Sequence, residues 1–509
     1  MTPASGSSRA RRLVSLALWA AILMAPSVTV AAGLIAGGAA LMLGPALARA
    51  VGRRGPAPRA AGAEVALGRD QAGRTVSLTD DQLAAHALVV GASGSGKTTT
   101  LLGILGAQIR AGRPVVAIDM KGSPAFAAEL RRFASDAGRQ LRVWTPDGPA
   151  HWNPLAHGNA TALKDKLIST ERFSEPHYQR AAERYVQTVL QVLHAAHPSR
   201  PARLDEVVTL MEPKRLSSVL RHVPRPLAER VQDYLAGLTP DQVSAARGLG
   251  NRLALLSESC AGPYLVPEGP GIPDGTSSGS SGSGGSTIDL RAGLEGGDVI
   301  LLSINSSVYG KLAAQLGALA LQDLVSAAGD RLGRDGEPGS APPATVALDE
   351  FSALGADNVL ALLARGRESG ISVITVTQEM ADLERAAPGF RDQVLGIIGV
   401  KIAHRQDVPA SAEMIAQMAG TERVWEPTLQ MRGMFASAGG GRSRGTKRQV
   451  EQYLIHPNEI KTLGVGEAVS LTKLPTARVQ RVRVTPPRPA PGRPPPTPPP
   501  TPPRDAPDR

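Results

Sequence analysis

The 509-residue chain has a single cysteine, Cys260, so it can form neither an internal disulfide nor a multi-cysteine metal site. That fits a reducing compartment for the bulk of the protein. Aromatic residues make up 3% of the chain, too few for a base-stacking platform that would grip single strands. A bulk basic field is missing as well. Of the net charge of +11, residues 1–54 supply +6 from six arginines, and residues 476–509 supply +5 from seven arginines against two aspartates. Residues 55–475 are therefore neutral overall, and any contact with nucleic acid must come from local clusters of charge.

Charge of either sign is absent from residues 13–48, LVSLALWAAILMAPSVTVAAGLIAGGAALMLGPALA. As one helix this stretch would be ~54 Å long, against a hydrocarbon core of ~30 Å. Arg9, Arg11 and Arg12 precede it, and Arg49, Arg53 and Arg54 follow it. Basic flanks on both sides favour a transmembrane helical hairpin turning near Pro26, with both ends in the cytoplasm. A single tilted span over 28–48 is the alternative. A cleaved signal peptide ending at Ala46-Leu47-Ala48 fits less well, because a signal core runs to only ~7–15 residues. The expected location is the bacterial inner membrane, with a basic cytoplasmic segment at 1–12 and the body in the cytoplasm.

From 55 to 155 strand-like and helix-like segments alternate: HALVV (86–90), a helix from about Thr98 to Ala111, and PVVAIDM (114–120). This opens an α/β fold with a mostly parallel sheet flanked by helices. Between 156 and 285 strand signals vanish. PHYQRAAERYVQTVLQVLHAA (176–196) and PLAERVQDYLAGL (226–238) carry helical periodicity, with Ser174 and Thr239 placed as caps and Pro240 at a first helical position. The region reads as an all-helical insertion ending in a flexible Gly/Ser run, TSSGSSGSGGS (276–286). Strand signals return over 286–475, at GDVILLSIN (297–305), ATVALDE (344–350), ISVITVTQ (371–378) and VLGIIGVKIAHR (394–405). Residues 476–509 read as a disordered Pro/Arg-rich tail.

The phosphate-binding pattern G-x-x-x-x-G-K-[ST] is met in full by GASGSGKTT. Gly91, Ala92, Ser93, Gly94, Ser95 and Gly96 let backbone N–H groups converge on phosphate oxygens. Lys97 adds a point charge, Thr98 offers a hydroxyl to Mg²⁺, and Thr99 continues into a helix whose positive end faces the anion. ATP and Mg²⁺ are the expected ligands. A hydrolase of this class also needs an acid for the metal and a base for water, and ATVALDEF supplies Asp349 and Glu350 at a strand end, Asp349 holding the metal through water. Gln378, ending ISVITVTQ, could report the γ-phosphate from an adjacent strand. Asp119, Lys121 and Gly122 end another strand beside the site, equally readable as a capped turn. Arg367, in LARGRESG, is a candidate arginine finger delivered to a neighbouring subunit. Arg442, Arg444, Lys447 and Arg448 lie in GGGRSRGTKR (439–448), a flexible basic arm that could track DNA phosphates or remain a solvated loop.

Together, GASGSGKTT (91–99), IDMKG (118–122), WNPL (152–155), LDEFSALG (348–355), ARGRESGISVITVTQ (364–378) and HPNEIKTLGVGEA (456–468) resemble the type IV coupling proteins of conjugative DNA transfer, P-loop motors of the additional-strand, RecA-like class. The resemblance implies a membrane-anchored homohexamer that spends ATP to engage DNA and relaxase or relaxosome proteins and pass them to a type IV secretion channel. It assigns Lys97 and Thr98 to the nucleotide, Asp349 and Glu350 to metal and water, Gln378 to γ-phosphate sensing and Arg367 to the trans finger. Two other functions stay open: a septal or chromosomal double-stranded DNA translocase, and a receptor docking protein effectors to a secretion channel.

Overall fold

Runs such as ALVV and VVAID are apolar at nearly every position, the mark of strands buried on both faces, and ISVITVT, with one serine and two threonines, is buried at all seven. A computed structural model describes residues 64–171, 173, 175–266, 287–333, 342–428 and 446–487. The apolar stretch 13–48, Ser174, the Gly/Ser run 276–286, Arg442 and Arg444 lie outside the described residues. All described residues belong to one compact unit.

In chain order the strands are β1 (Val65–Arg69), β2 (Thr75–Leu78), β3 (Ala87–Val90), β4 (Val115–Asp119), β5 (Leu141–Trp144), β6 (His151–Trp152), β7 (Thr287–Ile288) and β8 (Val299–Ser303). They continue as β9 (Ala344–Asp349), β10 (Ile371–Thr377), β11 (Val400–Ala403), β12 (Thr421–Thr428), β13 (Thr446–Tyr453), β14 (Glu467–Thr472) and β15 (Arg478–Val484). An 11-stranded sheet runs β2-β1-β15-β14-β11-β3-β10-β9-β4-β8-β5. From β11 to β5 every neighbouring pair is parallel; β14, β15, β1 and β2 extend it antiparallel.

The two-residue strand period sorts side chains onto two apolar layers. Leu88, Val90, Val116, Ile118, Val346, Leu348 and Val373 join one core. Ala87, Val89, Val115, Ala117, Ala347, Ile374 and Val376 join the other, with Leu101, Ile104 and Leu105 of the Lys97–Arg110 helix. The first core also takes in the helical region. There the Pro176–Ala196 helix buries Ala182, Tyr185, Val186, Val189 and Leu193, the spacing of one helix face. At Thr239 a capping box opens the Pro240–Ser257 helix, the threonine accepting from the Gln242 amide and the Gln242 side chain returning to the Thr239 amide. A buried ion pair joins two helices of this first core: Lys166 Nζ lies 2.8 Å from Asp323 Oδ1, and Trp152 Nε1 donates to Asp323 Oδ2 at 3.2 Å. Asp323 sits on Lys311–Leu332, among the described residues the one helix long and apolar enough to cross a membrane, two-thirds buried here as a core helix.

Four expectations need correction. Glu175, not Ser174, precedes the first turn of the Pro176–Ala196 helix. VLGIIGVKIAHR is not one strand: Phe390–Ile397 is helical, and only Val400–Ala403 pairs, between β3 and β14. Arg478–Val484 belongs to the sheet, so the Pro/Arg-rich tail cannot begin at 476; alternate Val482 and Val484 reach the core. Lys447 and Arg448 do not lie in a flexible arm but on β13, which pairs with β12 over eight residues in an antiparallel ribbon.

Candidate functional site

The strands β3, β10, β9 and β4 end level with one another: Val90 pairs with Thr377, Val376 with Asp349, and Asp349 with Asp119. Their carboxyl ends therefore present Gly91–Gly96, Gln378, Asp349-Glu350 and Lys121 along one edge, where parallel α/β sheets place their ligands. β10 lies between β3 and β9, so Gln378 stands between the phosphate loop and the two carboxylates.

The loop closes around Gly91, where a Cβ would lie 2.6 Å from His404 Cβ and 2.7 Å from Ser95 Oγ. Ser95 is thereby turned inward, its hydroxyl buried without a partner. Gly96 takes φ +116°, a conformation that disfavours a side chain, and leads into the Lys97–Arg110 helix with no side-chain cap. Among the described residues the amides of Gly96, Lys97, Thr98 and Thr99 have no internal acceptor. An uncapped helix start with free amides fits an anion. Lys97 Nζ folds back to donate to Gly91 O at 2.6 Å and Ala92 O at 3.0 Å. Burial and the neighbouring Lys121 hold the Lys97 ammonium below its usual pKa. Thr98 is exposed at the start of the helix, and Ser93 and Gly94 are exposed on the loop.

Glu350 follows β9 with φ +53°, a left-handed backbone for a residue with a full side chain. Such strain concentrates at functional sites. Its Oε1 accepts from Gln378 Nε2 and lies 3.4 Å from Lys121 Nζ. Lys121 also reaches Asp349, at 3.2 Å from Oδ2 and 3.4 Å from Oδ1. Burial raises the Asp349 pKa, and Lys121 opposes the shift. For Lys121 burial acts downward, but Asp349 and Glu350 outweigh it and the net shift is upward. Asp119 does not face the ligand edge as a metal ligand would. It is 1% exposed, and its carboxylate accepts from the Lys121 amide at 2.9 Å and the Ser123 amide at 2.7 Å. Gly122, at φ +64°, packs on Asn305, 2.8 Å from where its Cβ would stand.

Arg367 is not brought to this edge. It ends the Ala356–Gly366 helix, exposed, before β10 begins, so the length of β10, roughly 20 Å at ~3.3 Å per residue, separates it from Gln378. Lys447 and Arg448 belong to the separate β12–β13 ribbon.

Sequence reasoning missed two histidines that brace β3 at either end. His404 is fully buried; its Nδ1–H donates to Glu467 O at 2.9 Å, which leaves Nε2 to accept from Thr100 Oγ1 at 2.9 Å. His86 has φ +64°, accepts the Val373 amide on Nδ1 at 3.1 Å and donates from Nε2 to Leu363 O at 2.8 Å. Burial pushes each pKa down to about 4. Neither residue belongs to a recognisable motif, and only their position at strand ends could have flagged them.

The family model described as the TraM recognition site of TraD and TraG matches residues 343–464, and that of the FtsK/SpoIIIE family matches 52–111. No curated protein is matched in sequence. Among solved structures, the bacterial conjugative coupling protein TrwBΔN70, in an unbound form, aligns with TM-score 0.58 at 14% identity, over 83% of this chain and 88% of that one. TrwB in complex with the non-hydrolysable GTP analogue GDPNP aligns with TM-score 0.56 at 15% identity, over 81% and 88%. VirB4 of Thermoanaerobacter pseudethanolicus aligns with TM-score 0.51 at 14% identity, over 84% and 97%. A further TrwB structure is in complex with ADP and Mg²⁺. At these identities the structural likeness is one of fold. In sequence over 343–464 and in fold over about four-fifths of its length, the chain is similar to the type IV coupling proteins.

Proposed function

We propose that this protein is a membrane-anchored ATPase that couples DNA–relaxase substrates to a type IV secretion channel and drives their transfer in conjugation. One observation carries the motor reading: Gln378 bridges from the strand beside the phosphate loop to Glu350, linking the nucleotide cradle to a base. In the proposed mechanism Lys97 leaves the Gly91 and Ala92 carbonyls for the phosphates, and the amides of 96–99 hold their oxygens. Thr98 and, through water, Asp349 would hold Mg²⁺, which neutralises charge on the transferred phosphoryl group. Glu350 orients the attacking water and takes its proton. Gln378 reads the γ-phosphate and passes its presence or loss to Glu350 through their shared hydrogen bond. Arg367 sits too far from its own subunit's site to act there, which suits a finger delivered to a neighbour in a homohexamer. Residues 13–48 supply the inner-membrane hairpin, leaving the body in the cytoplasm, and Arg442, Arg444, Lys447 and Arg448 would touch DNA phosphates.

The match of 52–111 to FtsK/SpoIIIE keeps a septal or chromosomal DNA translocase as the second reading. The test is ATP hydrolysis by the full chain in lipid vesicles, with and without single- or double-stranded DNA, beside Lys97→Ala. DNA-stimulated turnover that Lys97→Ala abolishes is expected. Turnover indifferent to DNA would overturn the DNA-motor reading in favour of protein docking, and turnover retained by Lys97→Ala would overturn the assigned nucleotide site.

A further inference from the structure

At the mouth of the site two carboxylates, Asp349 and Glu350, stand side by side, and Asp349 is only 6% exposed. Without a positive partner two such charges at a buried edge repel each other and any incoming phosphate. Lys97 feels both acids from a distance, but its ammonium is hydrogen-bonded to the carbonyls of Gly91 and Ala92 and forms an ion pair with neither carboxylate. Among the described residues the one cation within 4.0 Å of either carboxylate is Lys121, which reaches both. It arrives there on a built turn. Asp119 clamps the Lys121 and Ser123 amides, Gly122 adopts a positive φ against Asn305, and the Ser306 amide donates to Met120 O at 2.8 Å. A solvated surface lysine needs none of this scaffolding.

We infer that Lys121 is a tethered counter-ion, which neutralises Asp349 and Glu350 while the site lacks a metal and yields Asp349 when a metal–nucleotide complex enters. This rests on reading the edge as an ATP site. The cation does in the empty cradle what Mg²⁺ does in the loaded one, so its loss is felt most by a nucleotide that arrives without metal. Lys121 acts through the two acids and is a positioning residue, distinct from Lys97, which addresses the phosphates directly.

The test is the affinity of the full chain for a fluorescent ATP analogue, measured once with Mg²⁺ and once in chelator. Lys121→Met should weaken metal-free binding on the order of tenfold, the scale of one unit charge at a partly buried site. Mg²⁺-bound affinity should stay within about twofold, and Lys121→Arg should restore most of the metal-free affinity. Combining Lys121→Met with Asp349→Asn should recover metal-free affinity, because the repelling charge is gone; this variant also serves if Lys121→Met alone folds poorly. Equal weakening in both conditions, or none in either, would overturn the counter-ion role. Lys97→Ala separates the two levels: if it leaves binding intact in both conditions, the nucleotide site itself is wrong.

Discussion

The two buried histidines should make this protein acid-labile in a window set by their own chemistry. His86 and His404 each fall from an ordinary pKa of 6.5 to about 4 in the folded chain, burial being the main cause, with Arg367 acting on His86 and Lys97 on His404 in the same direction. Both therefore stay neutral in the fold while the unfolded chain takes up a proton from about pH 6.5 downward. Stability is intact above 6.5 and is lost as pH falls toward 4, because the unfolded state binds more protons across that range. Integrated from pH 7 to pH 5, the difference is about 2 kcal/mol per histidine, or about 4 kcal/mol together, a large part of a typical folding free energy. Protonated His404 could no longer accept from Thr100, and it would add a charge beside Lys97. The assay is denaturant unfolding of the full chain between pH 8 and 4.5, for wild type, His86→Asn and His404→Gln. Each variant should start less stable at pH 7, yet lose about 2 kcal/mol less than wild type on going to pH 5. An undiminished loss in both variants would refute the claim that these imidazoles are held neutral.

Gly91→Ala forces a Cβ to within 2.6 Å of His404 Cβ and should abolish nucleotide binding at a stability cost of about 1–3 kcal/mol, whereas Gly103→Ala, in the Lys97–Arg110 helix with open space, should bind normally and gain up to about 1 kcal/mol; calorimetry and nucleotide titration distinguish them. Lys166→Met strands the buried Asp323 carboxylate and should cost about 3–5 kcal/mol, most of it recovered by Lys166→Met/Asp323→Leu, so equal losses by thermal melting would argue against a coupled pair. Arg367→Ala should lose hydrolysis while keeping nucleotide affinity, and mixing it with Lys97→Ala subunits should restore part of the turnover; no recovery at any ratio would exclude a finger supplied in trans.

Much of the site was legible because its chemistry is local. The spacing of Gly91, Gly96, Lys97 and Thr98 specifies a strand, a turn and a helix start within a dozen residues. Asp349 and Glu350 follow an apolar run whose end they mark. The helical region was legible in the same way, since Thr239, Pro240 and Gln242 cap a helix regardless of what surrounds it. Legibility failed where context overrides local pattern. Apolar 394–397 looked continuous with β11 but turns as a helix before the strand, and Arg478–Val484 hides a strand among arginines because only alternate residues face the core. The β12–β13 ribbon escaped notice since most of its described side chains are exposed and its sequence carries little apolar alternation.

By itself the sequence determined a phosphate cradle, an acidic strand end and a long uncharged stretch at 13–48, because each rests on neighbours in the chain. Tertiary structure alone decided that β10 enters between β3 and β9, which sets Gln378 on Glu350. It also brought Lys121 to both acids across 228 residues from Asp349, and wedged His404 behind Gly91. Strand order and buried polar contacts depend on how distant segments pack against two shared cores, and no local pattern encodes that choice.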